Sequence, residues 1–148
     1  MTTIAYRDGV LASDSRETAY KSRIDTDNSK KIYRVGSALV GMAGSSAQGL
    51  QMLEALKKAV KTRKKGEANI LPSIMLKSCT ALLVESDGSL WFYEKGVWMV
   101  VKEYYSIGSG SDYALAAMDA GLSAKEAVRL AIKRDCFSGG RIQTLELK

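Results

Sequence analysis

Up to Met42, apolar and polar positions alternate in short bursts separated by turn signals, the pattern of antiparallel strands. Residues 2–6 predict a strand, Asp8-Gly9 a tight turn, and residues 10–13 the returning strand. Residues 15–30 are polar and turn-rich. Residues 31–35 and 38–42 predict a second hairpin around Gly36-Ser37. The period then changes. From residue 45 to 65 the apolar positions Leu50, Leu53, Leu56 and Val60 predict a helix with one buried stripe, ended by Gly66.

Further on, residues 67–79 are ambiguous, with Pro72-Ser73 able to open a short helix. Strands are predicted at 80–85, 89–93, 97–101 and 105–107, with turns at Asp87-Gly88 and Lys95-Gly96. Gly108-Ser109-Gly110-Ser111 leads into a helix to Ala120, stopped by Gly121. Ser123 opens another with Glu126 completing a capping box; Ala127, Val128, Leu130 and Ala131 form its inward face. Residues 142–147 predict a closing strand. This order of hairpins and helices predicts antiparallel sheets with helices packed on their faces.

The 148 residues suit one domain, residues 1–148, with no repeat or linker. With 46% hydrophobic residues and one proline, the chain has the composition of an ordered globule. Two cysteines, Cys79 and Cys136, do not make a disulfide scaffold and fit a reducing compartment. Cys136 reads as a small buried filler. No signal-peptide layout or membrane-length apolar run is present, so the expected location is cytoplasmic. The net charge of +6 is concentrated in Lys57, Lys58, Lys61, Arg63, Lys64 and Lys65. No aromatic interleaves with that run, so it reads as a solvated helix end rather than a nucleic-acid platform.

The chain contains no histidine. That excludes Ser-His-Asp and Cys-His catalysis and histidine-bound zinc. A nucleophile would need a lysine, a carboxylate or the chain's own amino terminus as its base. The sequence begins Met-Thr-Thr, and the small residue after Met1 permits removal of that methionine. Thr2 would then carry a free α-amine with a reference pKa of ~7.7–8.0, against ~10.4 for lysine, and so a usable base near neutrality.

Several motifs follow in order: Thr2-Thr3-Ile4, Asp14-Ser15-Arg16-Glu17-Thr18, Lys30-Lys31-Ile32, Gly41-Met42-Ala43-Gly44-Ser45, Gly108-Ser109-Gly110-Ser111 and Arg134-Asp135-Cys136-Phe137-Ser138-Gly139-Gly140. The set resembles the β-type subunits of the proteasome and the bacterial HslV peptidases, which are N-terminal-nucleophile hydrolases. The resemblance spans nearly the whole chain.

It implies an α/β (α+β) fold, a four-layer αββα sandwich of two antiparallel sheets. It implies a threonine endopeptidase with Thr2 as nucleophile, Asp14 pairing with Lys31, and a protonated Lys31 that lowers the effective pKa of the threonine hydroxyl. Ser109, Asp135 and Ser138 match the residues that orient the amine. Gly44 matches the oxyanion glycine, with Gly41 as the alternative register. Thr18 and Ser46 match backbone positions that hold substrate as an added strand. Met42 and Glu17 match walls of the specificity pocket, the methionine suggesting apolar substrate side chains. No cofactor is implied, although some family members bind a monovalent or divalent ion near the loop that here reads Ser138-Gly139-Gly140.

Read singly, these residues have ordinary accounts. Asp14 suits a turn cap, Lys31 a surface lysine, Gly108 to Ser111 a helix entry, and Gly139-Gly140 a tight turn. The Gly-x-Gly at 108 lacks the remainder of a phosphate-loop motif. Compared with the family, the shortfall in length falls between Gly66 and Cys79, leaving only a remnant of a second helix at residues 72–77. The implied partners are a peptide or unfolded protein, further copies of the chain in a ring, and an ATP-driven unfoldase; no nucleic acid or membrane is expected. The direct start at Met1 without a propeptide is closer to HslV. The alternatives are an inactive or structural relative of the same fold, or an amidase acting on a small amide.

Overall fold

The computed structural model describes residues 1–20, 22–64 and 71–148. Strands β1 (Ile4–Arg7) and β2 (Val10–Ser13) form the predicted first hairpin. Its turn residues Asp8 and Gly9 have φ of 49° and 80°, the doubly left-handed turn that matches strand twist. Next come β3 (Glu17–Ala19), β4 (Arg23–Thr26), β5 (Ile32–Val35), β6 (Ala38–Gly44) and helix α1 (Ser46–Thr62). The second half comprises β7 (Cys79–Val84), β8 (Leu90–Glu94), β9 (Val97–Val101), β10 (Tyr104–Ile107), α2 (Ser111–Asp119), α3 (Ala124–Arg134) and β11 (Gln143–Glu146).

The strands form a four-stranded sheet, β10-β1-β2-β11, and a five-stranded sheet, β5-β6-β7-β8-β9, both antiparallel. The alternation of side chains along each strand builds the layers. Ile4, Tyr6 and Leu11 face Ile32, Leu39, Leu82, Val84 and Leu90 in the core between the sheets. Their neighbours Ala5 and Ala12 face α2 and α3, where Ala114, Ala117, Ala124, Ala127 and Ala131 keep the helices close to the sheet. On the far side, Val40, Met42, Ala81 and Leu83 meet Met52, Leu53 and Leu56 of α1. The result is the expected αββα order.

Several local expectations are corrected. Residues 15–30 contain the β3–β4 hairpin, pairing Glu17 with Thr26 and Thr18 with Ile24. All its residues are exposed or half-buried, so no hydrophobic alternation marked it. The buried face of α1 comprises Gly49, Met52, Leu53 and Leu56, whereas Leu50 is 57% exposed and Val60 only half-buried. Gly49 packs beside Met42 of β6, where a Cβ would make ordinary contact at 3.5 Å with the Met42 Cβ. Leu130 of α3 is 38% exposed rather than inward. Cys136 is exposed; Cys79 is the buried thiol, and burial pushes its pKa up to about 11.

Residues 71–76 are not helical. They run across the outer face of the five-stranded sheet, with Leu71, Ile74 and Leu76 on its core. Tyr93 clamps them, its hydroxyl accepting from Leu76 N at 2.8 Å and donating to Ile74 O at 2.6 Å. The indole of Trp98 donates to Pro72 O at 3.1 Å. Gly66 and Lys65 lie outside the described residues; α1 itself ends at Thr62, with Lys61 in its last turn. Among the described residues no helix is long and apolar enough to cross a membrane.

Gly41 sits in β6 directly beneath the start of β1. A Cβ there would lie 2.8 Å from Ile4 Cγ2 and 3.2 Å from Ile32 Cγ2. Gly41→Ala should therefore lower stability by about 1–3 kcal/mol, the usual cost of overpacking. Urea unfolding measures it, and an unchanged midpoint would show that the two sheets can part without penalty.

Candidate active site

The alternation of β1 extends back through the residues before it. Thr2 lies on the face of Ile4, toward the second sheet, and Thr3 on the face of Ala5, toward the helices. This places Thr2 at one end of the inter-sheet core, 5% exposed, opposite Lys31 at the start of β5.

Lys31 Nζ donates to Thr2 Oγ1 at 2.9 Å and to Asp14 Oδ1 at 2.9 Å. It also contacts Met1 O at 3.1 Å and the Arg16 carbonyl. An ammonium has three N–H donors, and here four acceptors surround it. Without Met1 the remaining acceptors would match the donors one for one. Burial lowers the Lys31 pKa from its ordinary value, and the charge and hydrogen bond of Asp14 oppose that shift. The balance thus lies further toward desolvation than the pairing alone suggested, although every donor has an acceptor.

Asp14 follows β2 and is fully buried. Its Oδ1 also accepts from Thr3 N at 3.0 Å; its Oδ2 accepts from Arg16 N at 3.1 Å and Gly139 N at 3.0 Å. Four N–H groups on one carboxylate make it a site for an anion despite its burial. The same contacts lace the 14–16 segment to the 135–140 loop, where Ser15 N donates to Gly139 O at 2.8 Å.

A second network lies on the other side of Thr2. Thr2 N donates to Ser109 Oγ at 3.1 Å, and Ser109 Oγ donates to Asp135 Oδ2 at 2.6 Å. Ser138 Oγ donates to that same oxygen at 2.6 Å, and Phe137 N to Oδ1 at 3.1 Å. Asp135 is the C-cap of α3, where the helix dipole disfavours an acid. The donors aimed at it, together with Lys133 and Arg134 in the last turn, offset that cost. The Gly108–Gly110 turn wraps the threonines closely. Gly110 N donates to Thr2 O at 3.2 Å, and a Cβ at Gly108, whose φ is +96°, would lie 2.0 Å from that oxygen.

Two clefts flank Thr2. One, of about 330 Å³, is lined by Glu17, Thr18, Tyr33, Met42, Ser46 and Leu50 among others. The Ser46 hydroxyl donates to Glu17, joining α1 to β3 at this cleft, and the Met1 amino group donates to Thr18 Oγ1 at 3.2 Å. The other, of about 530 Å³, includes Ser78, Glu94, Lys95 and Ser109. Gly44 borders both. It ends β6 with φ of +103°, whereas Gly41 is mid-strand, paired with Ile32 and Leu82 and buried. The alternative register at Gly41 therefore places that glycine inside the sheet, away from both clefts.

Every expected site residue is thus gathered around Thr2. Thr3, Arg16, Gly108 and Gly139 were not anticipated in their contacts. For Thr3 the signal was available: strand alternation sends its side chain to the face opposite Thr2. Among the described residues no group of three or more acidic, cysteine or histidine side chains converges on a metal position. In the Ser138–Gly140 loop, Gly139 N donates to Asp14 and Gly139 O accepts from Ser15 N.

No family model matches the chain. The ATP-dependent protease subunit HslV of Thermosipho melanesiensis is 33% identical, covering 79% of this chain and 76% of that protein. This chain belongs to the HslV family. The HslV of Thermosipho africanus is 32% identical over 84% of this chain and 80% of its own, and that of Caldicellulosiruptor saccharolyticus 27% identical over 99% and 97%. Eukaryotic HslV from Trypanosoma brucei superposes with a TM-score of 0.71 at 17% identity, covering 98% of each chain. Thiobacillus denitrificans BPH in complex with Epoxomicin gives 0.68 at 21% identity, covering 99% of this chain and 98% of that one. At such identities these two structures speak for the fold, the αββα sandwich that this HslV-family chain shares with them.

Asp14→Asn removes the group that holds the Lys31 pKa up. Lys31 should then titrate lower still, followed as the pH dependence of its ε-carbon NMR shift. A midpoint that stays in place would mean that Asp14 does not govern this charge.

Proposed function

We propose that this HslV-family threonine peptidase cleaves peptide bonds with Thr2 as its nucleophile once Met1 has been removed. The observation that carries the reading is the position of Thr2 Oγ1, 2.9 Å from a buried Lys31 ammonium that is itself 2.9 Å from Asp14, in a chain without histidine.

Removal of Met1 frees the Thr2 nitrogen as an amine. That amine, directly or through one water, takes the hydroxyl proton. Lys31 stabilises the developing alkoxide by donating to Oγ1, because a hydrogen bond to the charged form favours it. Thr2 Oγ1 forms a bond to the peptide carbonyl carbon, and the carbonyl electrons move to oxygen. The Gly44 N–H is the proposed donor to that oxyanion. The carbon–nitrogen bond then breaks, and the leaving nitrogen takes a proton from the Thr2 ammonium. Water, deprotonated by the same amine, releases the acyl group and restores Thr2. Ser109, with Asp135 and Ser138 behind it, holds the amine in place throughout.

The substrate is proposed to lie as an added strand between the Thr18 and Ser46 segments. An apolar side chain would enter the cleft beside Met42 and Leu50, with Glu17 at its wall. The relatives' name, ATP-dependent protease subunit, supports an unfolded protein substrate, a ring of like subunits and a partner ATPase. Residues 71–76 are not helical and Lys77-Ser78 form a turn, so the ring contacts on this side of the five-stranded sheet would be of this chain's own kind.

Intact mass should show loss of Met1, and a peptide epoxyketone should add once per chain. Thr2→Ala should abolish the adduct and reduce hydrolysis by on the order of 10³-fold or more, with the fold intact by circular dichroism. Retained hydrolysis in that variant would exclude Thr2 as the nucleophile. Native mass spectrometry should find a closed oligomer; a monomer that hydrolyses peptides at full rate would exclude the ring.

A further inference from the structure

We infer that Thr3 is a positioning residue that joins the two hydrogen-bond networks acting on Thr2, an assignment that rests on Thr2 being the nucleophile as proposed above. Thr3 is completely buried. Its backbone N–H donates to Asp14 Oδ1 at 3.0 Å, the same oxygen that receives Lys31 Nζ. Its carbonyl accepts from Asp14 N at 3.1 Å. The main chain of Thr3 thereby sets the carboxylate that faces the Lys31 charge and, through it, the Thr2 hydroxyl.

The side chain of Thr3 acts on the other network. Its Oγ1 lies 2.7 Å from Ser138 Oγ. A hydroxyl carries one proton, and Ser138 gives its proton to Asp135 Oδ2 at 2.6 Å, so Thr3 is the donor. Donors thus converge on Asp135 from two directions. Thr3 acts through Ser138, and the Thr2 nitrogen acts through Ser109 at 3.1 Å and 2.6 Å. Hydrogen bonds in such a chain polarise one another.

The surroundings are shaped around this hydroxyl. A Cβ at Gly110 would lie 1.9 Å from Thr3 Oγ1 and 3.2 Å from the Ala131 Cβ. Any side chain at position 110 would crowd the oxygen that donates to Ser138.

The consequence concerns the base. In catalysis the Thr2 amine must bind and release a proton near neutrality. Asp135 is the nearest carboxylate along its hydrogen-bond chain, and its negative charge raises the proton affinity of that amine. Thr3, donating through Ser138, spreads part of the charge away from Ser109. Without that donor the carboxylate acts more strongly toward the amine, whose pKa rises.

Thr3→Val keeps the shape and removes the donor; Thr3→Ser keeps the donor. In Thr3→Val the acid limb of the kcat/KM–pH profile should move up by about half to one pH unit, a roughly threefold to tenfold loss on that limb. Thr3→Ser should restore the native profile. Should the valine variant not fold, Ser138→Ala cuts the same chain from the other side and should give the same shift. A residue that only packs would change the melting temperature and leave the midpoint where it was. An unmoved midpoint in a folded, active Thr3→Val or Ser138→Ala protein, or a shift that serine does not rescue, overturns the assignment of Thr3 alone. A native protein that hydrolyses no peptide and takes no epoxyketone at Thr2 overturns the peptidase reading and this inference together.

Discussion

One buried cation organises the site. Lys31 enters the end of the inter-sheet core, where an uncompensated charge is untenable. Its charge is accommodated by the Asp14 carboxylate, which in turn takes N–H groups from the 3, 16 and 139 positions. The ion pair therefore ties together the start of β1, the segment after β2, the start of β5 and the loop after α3. Four separate parts of the chain must be in place before the charge is tolerable. A half-assembled site would hold a buried ammonium without its full set of partners, so assembly of the site and folding of this end of the sandwich are one event.

The sheets provide the rigidity that this arrangement needs. Large aliphatic residues fill the space between them, while alanines fill the space under α2 and α3. Small residues on that side bring the end of α3, and with it Asp135, to within reach of the hydroxyls of Ser109 and Ser138. Glycines do similar work nearer the chemistry. At 108 and 110 the backbone passes so close to Thr2 and Thr3 that no side chain fits. The chain places backbone where a charged or polar contact must be short, and hydrocarbon where the sheets must not slide.

Much of this was legible in the sequence, and the exceptions have physical reasons. The first hairpin, the capping box at Ser123 and the β7–β10 run followed from alternation, turn residues and cap chemistry. The site residues followed only from motif order, since Asp14 or Lys31 alone is indistinguishable from a turn cap or a surface charge. The β3–β4 hairpin was missed because an exposed ribbon buries neither face. Leu50 and Leu130 were misplaced because helical periodicity locates a stripe only to within a residue; neighbouring contacts, here Gly49 against Met42, settle the rotation. The non-helical path at 71–76 depends on Tyr93 and Trp98, partners that lie far along the chain. Thr3 was overlooked because a repeated threonine reads as redundancy.

The two adjacent threonines give the amino-terminal end a fixed reading frame. Successive residues of an extended chain look in opposite directions, so Thr2 faces the lysine while Thr3 faces the helices. Sliding this segment by a single position would exchange those directions, bringing the wrong hydroxyl to the cation and leaving the hydroxyl chain without its outer member. The pleat itself thus decides which of the two hydroxyls meets the cation and which meets the helices.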